Sequence, residues 1–166
     1  MKFYILGFND DKERSNFNSE IGEFISEHLE NYCPVNSISE FRSLINSIKD
    51  SNEKIIFHCL GHGSKKQDNT THSGIDPVPW QVIADSFTSL RKRNNIVVVN
   101  LMSVCYSDYF KNYKDAYDIV WTVVEESPCL DIPTMIYTDI GYLDWTSYKM
   151  ILDKQADYGY QEHVNK

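Results

Sequence analysis

Short apolar runs separated by amphipathic stretches organise this chain. Residues 2–8 form an apolar run closed by Asn9-Asp10-Asp11, the mark of a strand that meets a loop. Ile21, Phe24, Ile25, Leu29 and Tyr32 then recur at helical spacing after Ser19, and 33–35 has the length of a brief strand. Ser37-Ile38-Ser39-Glu40 has the capping-box pattern, in which a serine oxygen and a glutamate carboxylate satisfy free amides at a helix start. Phe41, Leu44, Ile45 and Ile48 continue that helix on one face, and it ends near Asp50-Ser51-Asn52. The runs at 54–60 and 96–101 predict the strongest strands, the second almost wholly apolar, as when both sheet faces are covered. Between them Pro79 suits a first helical turn, and Trp80, Ile83, Phe87 and Leu90 share one stripe. Residues 119–124 predict a further strand and 134–138 a short one, and Asp144 is placed to cap a last helix through about Lys154. The polar tail from Gln155 onward is expected to fray.

Alternating strands and helices predict an α/β fold: a mostly parallel sheet with helices on both faces, in a single domain covering 1–166. Sheets of this kind gather their chemistry beyond the carboxyl ends of the strands. The polar stretch 61–77 follows one such end and is too long for a mere connector.

Composition narrows the classes. A length of 166 residues suits one domain with a real core, and 42% hydrophobic with 24% charged residues is ordinary for a globular protein. The net charge of −8 argues against direct binding of nucleic acid or an anionic membrane, which need a clustered positive field. Arg91-Lys92-Arg93 reads as the cationic last turn of a helix. No apolar run approaches a membrane span, and the first residues do not read as a signal peptide. Cys33, Cys59, Cys105 and Cys129 lack CxxC spacing, so reduced thiols in a cytoplasmic compartment are expected rather than disulfides or a zinc site. No cofactor is expected, since no GxGxxG or Walker pattern occurs.

Two strand ends carry the candidate chemistry. One finishes in Gly61-His62-Gly63, the other in Met102-Ser103-Val104-Cys105-Tyr106-Ser107. A cysteine reacts as its thiolate, and a nearby imidazole takes up or balances the thiol proton. Glycine beside the histidine lets backbone approach a substrate and frees an amide for an oxyanion. His58 shares the strand parity of His62, and a satisfied, half-buried histidine is its plainer reading. Cys59 reads as a core residue. His72, in the polar stretch, is a rival base that no strand holds. His58 and His62 suggest no third metal ligand nearby.

The segments GHGS, PVPWQVIADSF and VVVNLMSVCYS, in this order, resemble the caspase-like cysteine peptidases, most closely the prokaryotic branch called CHAT. Those families place a His-Gly after one core strand and a Cys after the next, with a helix between. The resemblance implies a three-layer caspase-like sandwich and a cysteine endopeptidase. Cys105 would be the nucleophile, His62 the general base, and the amides of Gly63 and Cys105 the oxyanion hole. Ser107 stands where a caspase has glycine, which is closer to the CHAT pattern. Glu125 and Glu126 follow a strand where related enzymes shape the pocket for the residue before the scissile bond, and Asp108 is a similar candidate. Such an acidic pocket favours Arg or Lys, and the plain alternative is a solvated strand end. The implied partners are a protein or peptide substrate and a regulatory or sensor protein that orders the stretch 64–77, as in prokaryotic immunity and antiviral defence. Two other readings stay open: a catalytically inactive caspase-like subunit that binds or scaffolds, and an unrelated α/β domain with a small ligand at the same strand ends.

Overall fold

The computed structural model describes residues 1–13, 31–63, 74–124, 145–155 and 160–165. In chain order they form β1 (Lys2–Phe8), the one-turn α1 (Asp10–Glu13), β2 (Tyr32–Val35), α2 (Ile38–Ser47), β3 (Lys54–Leu60), β4 (Gly74–Ile75), β5 (Val78–Pro79), α3 (Trp80–Lys92), β6 (Ile96–Asn100), β7 (Ile119–Val123), α4 (Trp145–Gln155) and β8 (Tyr160–Val164). Two 3-10 segments, Ser107–Asn112 and Lys114–Ala116, lie between β6 and β7. Six strands make one sheet in the order β2-β1-β3-β6-β7-β8, parallel except for β8, which runs antiparallel to β7. The expected central feature is present: β3 and β6 are parallel neighbours, with α3 between them in the chain.

Alternation along the strands sorts the core into two layers. Ile55, Phe57 and Cys59 of β3 pack with Val97 and Val99 of β6 against Phe41 and Ile45 of α2 and Ile83, Phe87 and Leu90 of α3. On the opposite face, Ile56, Leu60, Val98, Trp121 and Val123 meet Tyr148 and Leu152 of α4. The sheet therefore lies between helices on both faces. The predicted cap of α2 forms, with the Glu40 amide donating to Ser37 Oγ at 3.1 Å. The Glu40 carboxylate reaches one residue further back than the usual box, accepting from the Asn36 amide at 2.7 Å.

Three local expectations change. Pro79 is the N-cap of α3 and the last residue of β5, so the helix begins one residue later, at Trp80. The end of the polar stretch 61–77 is ordered, because Gly74–Ile75 pairs antiparallel with Val78–Pro79. Part of the tail expected to fray is strand β8. Composition hid it: an edge strand draws most of its hold from backbone ladder bonds, which polar residues supply as well as apolar ones. Tyr160 is its one buried anchor, and beyond it Asn165 Nδ2 donates to the carbonyls of Lys114 and Tyr117. The expected helix beginning near Ile21, the strand at 134–138, the cap Asp144 and the thiol of Cys129 lie outside the described residues.

Candidate active site

His58 is paired in register with Asn100, so the segments following β3 and β6 leave the sheet side by side at its carboxyl end. The first carries His62, which is exposed, and the second Cys105, which is half-buried. Gly63 sits in the seam between them. A Cβ built there would fall within the van der Waals shell of the Cys105 carbonyl oxygen, 2.9 Å from its carbonyl carbon and 2.8 Å from Val104 Cγ1. Only a glycine lets these two segments come so close.

Gly63 also forms an antiparallel bridge with Ile75, while the Asp76 amide donates to the His62 carbonyl at 3.0 Å. That pattern puts Gly63 at the non-hydrogen-bonded position of the bridge, so its amide is not spent on Ile75. The β4–β5 hairpin thereby becomes the wall of a recess of about 500 Å³, lined by His62, Gly63, Asp76, Pro77 and Val78 among others. Asp76 is its one carboxylate among the described residues, held by the Asn9 side-chain amide at 3.1 Å. The sequence reading missed Asp76, because only the hairpin shows that it folds back beside His62.

Among the other candidates, Asp108 lies in the first turn of the 3-10 segment Ser107–Asn112 but turns its carboxylate towards β7 and β8. It accepts from Lys111 Nζ at 2.6 Å and Thr122 Oγ1 at 3.1 Å, and lies 3.4 Å from His163 Nε2. Burial pushes its carboxyl up, but the bonds from Lys111 and Thr122, with the charges of Lys111 and His163, outweigh this and leave it lowered. Asp108 is not among the described residues lining the recess. Glu125, Glu126 and His72 lie outside the described residues. Among the described residues no disulfide joins Cys33, Cys59 or Cys105, and burial pushes the Cys59 thiol far above the reactive range. Among the described residues no group of three or more His, Cys, Asp or Glu side chains could hold a metal ion, and no helix is long and apolar enough to cross a membrane.

His58 is fully buried, not half-buried, because α4 covers the face of the sheet on which it lies. Its Nε2 meets Ser103 Oγ at 3.0 Å, and burial lowers its pKa to about 3. It is therefore neutral at physiological pH and serves the turn rather than the recess. The sign of the pH effect follows. The unfolded chain takes up a proton on this imidazole near its ordinary value of about 6.5, whereas the folded chain resists until about 3. The stability His58 confers is complete above about 6.5 and is lost as pH falls towards 3, with a slope of up to about 1.4 kcal/mol per pH unit. Urea unfolding between pH 7 and 4 should show that slope, reduced in His58→Gln. An identical slope in the variant would assign the acid sensitivity elsewhere.

Comparisons with protein-family models, with curated protein sequences and with solved structures find no match.

Proposed function

We propose that this chain is a cysteine endopeptidase of the caspase-like superfamily, nearest its prokaryotic CHAT branch. The observation that carries the reading is the contact of Gly63 with the backbone of Cys105, which joins the His-Gly segment to the cysteine turn. The sequence motifs ask for that junction at the carboxyl ends of two neighbouring parallel strands, where β3 and β6 supply it.

In this reading a peptide lies across the seam with one side chain in the recess beside His62. The imidazole of His62 takes the proton of Cys105 as the sulfur attacks the scissile carbonyl. The developing oxyanion is held by the amides of Gly63 and Cys105. Collapse of the tetrahedral adduct breaks the C–N bond, and the imidazolium returns the proton to the departing amine. Water then cleaves the thioester, with His62 again as base, and frees the thiol. Asp76, with Glu125 and Glu126 following β7 in the sequence, favours a basic residue before the scissile bond.

Control in this reading rests on residues 64–73, since Gly74–Ile75 is already paired in the hairpin. That stretch follows the base directly, and Lys65, Lys66, Gln67, Asp68, Asn69, Thr70 and Thr71 offer little apolar surface to repay ordering. A regulatory or sensor protein that engages it completes the site, as in a cytoplasmic defence system that stays silent until triggered.

The test is cleavage of a peptide library by the purified chain, alone and with lysate of its native host, read as new peptide termini. The isolated chain is expected to cleave weakly and at least tenfold faster with lysate, with every chain-dependent cut absent in Cys105→Ala. Full activity alone would remove the partner from the account. No cleavage in either condition, from a folded chain, would favour the inactive, binding subunit instead.

A further inference from the structure

The turn carrying Cys105 has no repeating backbone of its own, so something must hold its shape. Its two ends are closed by one side chain. Ser107 is fully buried, and its hydroxyl donates to the Leu101 carbonyl at 3.0 Å while accepting from the Val123 amide, also at 3.0 Å. Both hydrogen-bonding roles of the hydroxyl are thus used, each on backbone. Leu101 is itself fixed to β7, because its amide donates to the Trp121 carbonyl at 2.9 Å. Ser107 therefore closes the turn and fastens it to β7 in one step.

A second tie runs the opposite way. Ser103, 1% exposed, is bonded to the buried His58 of β3, the strand that leads into His62. Between the two serines, Tyr106 adopts a left-handed backbone with φ 56° and ψ 27°. A side-chain-bearing residue there is strained, and such a conformation persists only where its surroundings dictate it. The cysteine turn is thus tied to both neighbouring strands and locked at the residue directly after Cys105.

We propose that Ser107 and Ser103 are positioning residues that set the thiol of Cys105 against His62. The proposal rests on the reading of Cys105 as nucleophile and His62 as its base. Neither serine touches substrate, since both are buried. Each acts through the backbone of the turn, so its loss should uncouple the thiol from the imidazole and leave the residue type unchanged.

The experiment reads the reactivity of one thiol. The full chain is alkylated with iodoacetamide between pH 5 and 9, and modification of Cys105 is followed by peptide mass spectrometry. The curve of His62→Ala, in which the thiol has lost its proposed base, is the reference for an uncoupled cysteine. Ser107→Ala should move the wild-type curve towards that of His62→Ala and slow alkylation at pH 6 about tenfold. Ser107→Thr, which keeps the hydroxyl, should recover most of the rate. Ile45→Val, a core change in α2, should keep the wild-type curve while lowering the melting temperature. If Ser107→Ala fails to fold by circular dichroism, Ser103→Ala gives the same reading through the other tie. A wild-type curve in a folded Ser107→Ala or Ser103→Ala variant would overturn the positioning role and leave the dyad standing. Superimposable curves for the wild-type chain and His62→Ala would overturn the dyad, and this proposal with it.

Discussion

Cys105→Ala is expected to abolish covalent labelling by an electrophilic peptide ketone, while Cys59→Ala leaves labelling at the wild-type rate. The two thiols differ in environment, not in kind. Cys59 lies in β3 with no exposed surface, within the core cluster that includes Phe57 and the inner residues of α3, and burial suppresses its thiolate. Cys105 is half-buried at the end of the sheet, where the His62 segment passes. Nucleophilic attack requires both thiolate character and access, and of these two only Cys105 has the access. Losing the nucleophile removes the covalent step itself, so the expected fall is to background rather than by a factor. Intact mass and peptide mapping after labelling decide it. An adduct on Cys59 or Cys33 would show that the site has been misplaced.

Gly63→Ala carries the second large effect. The added methyl has no free volume, because it meets the carbonyl group of Cys105 and the side chain of Val104. The flexible tip of a long side chain could swing aside, but a backbone carbonyl in a braced turn cannot do so cheaply. The two segments must separate, at a cost of about 1–3 kcal/mol for overpacking. Displacing a reacting group by as little as about 1 Å costs on the order of 100-fold in rate. A fall in Cys105 labelling of about 100-fold, in a chain that still melts cooperatively, is therefore expected. Wild-type labelling in Gly63→Ala would mean that the seam yields and that the close approach is not needed for chemistry.

The legible parts of this molecule are those where burial sets the residue pattern. β1, β3 and β6 are covered on both faces and read as apolar runs; α3 shows its stripe of Ile83, Phe87 and Leu90 because one face meets the sheet. The end of α2 nearest the cap was legible for a different reason, since Ser37 and Glu40 act on amides only a few residues away. Where pairing depends on backbone alone, the pattern falls silent. β8 has one buried anchor, and β4 and β5 are two residues each, too short for any period.

The candidate site divides along the same line. His62, Gly63 and Cys105 stood out because glycine and strand ends mark them locally. Asp76 did not, since it joins the recess only through the fold-back of the hairpin onto Gly63. Ser107 stood out only as the residue where a caspase has glycine, and Ser103 not at all; their bonds run to His58, Leu101 and Val123, which only the sheet order brings near. Asp108 shows the converse: its position in the chain suggested a pocket, but the folded chain commits its carboxylate to Lys111 and Thr122.

The central claim is that His62 and Cys105 act as one unit. Its most direct test compares the pH dependence of Cys105 alkylation in the wild-type chain and in His62→Ala, each confirmed as folded. The wild-type chain should be alkylated about tenfold faster than His62→Ala at pH 6, because only its thiol has an imidazole to balance the thiolate. Superimposable curves for the two chains would contradict the dyad.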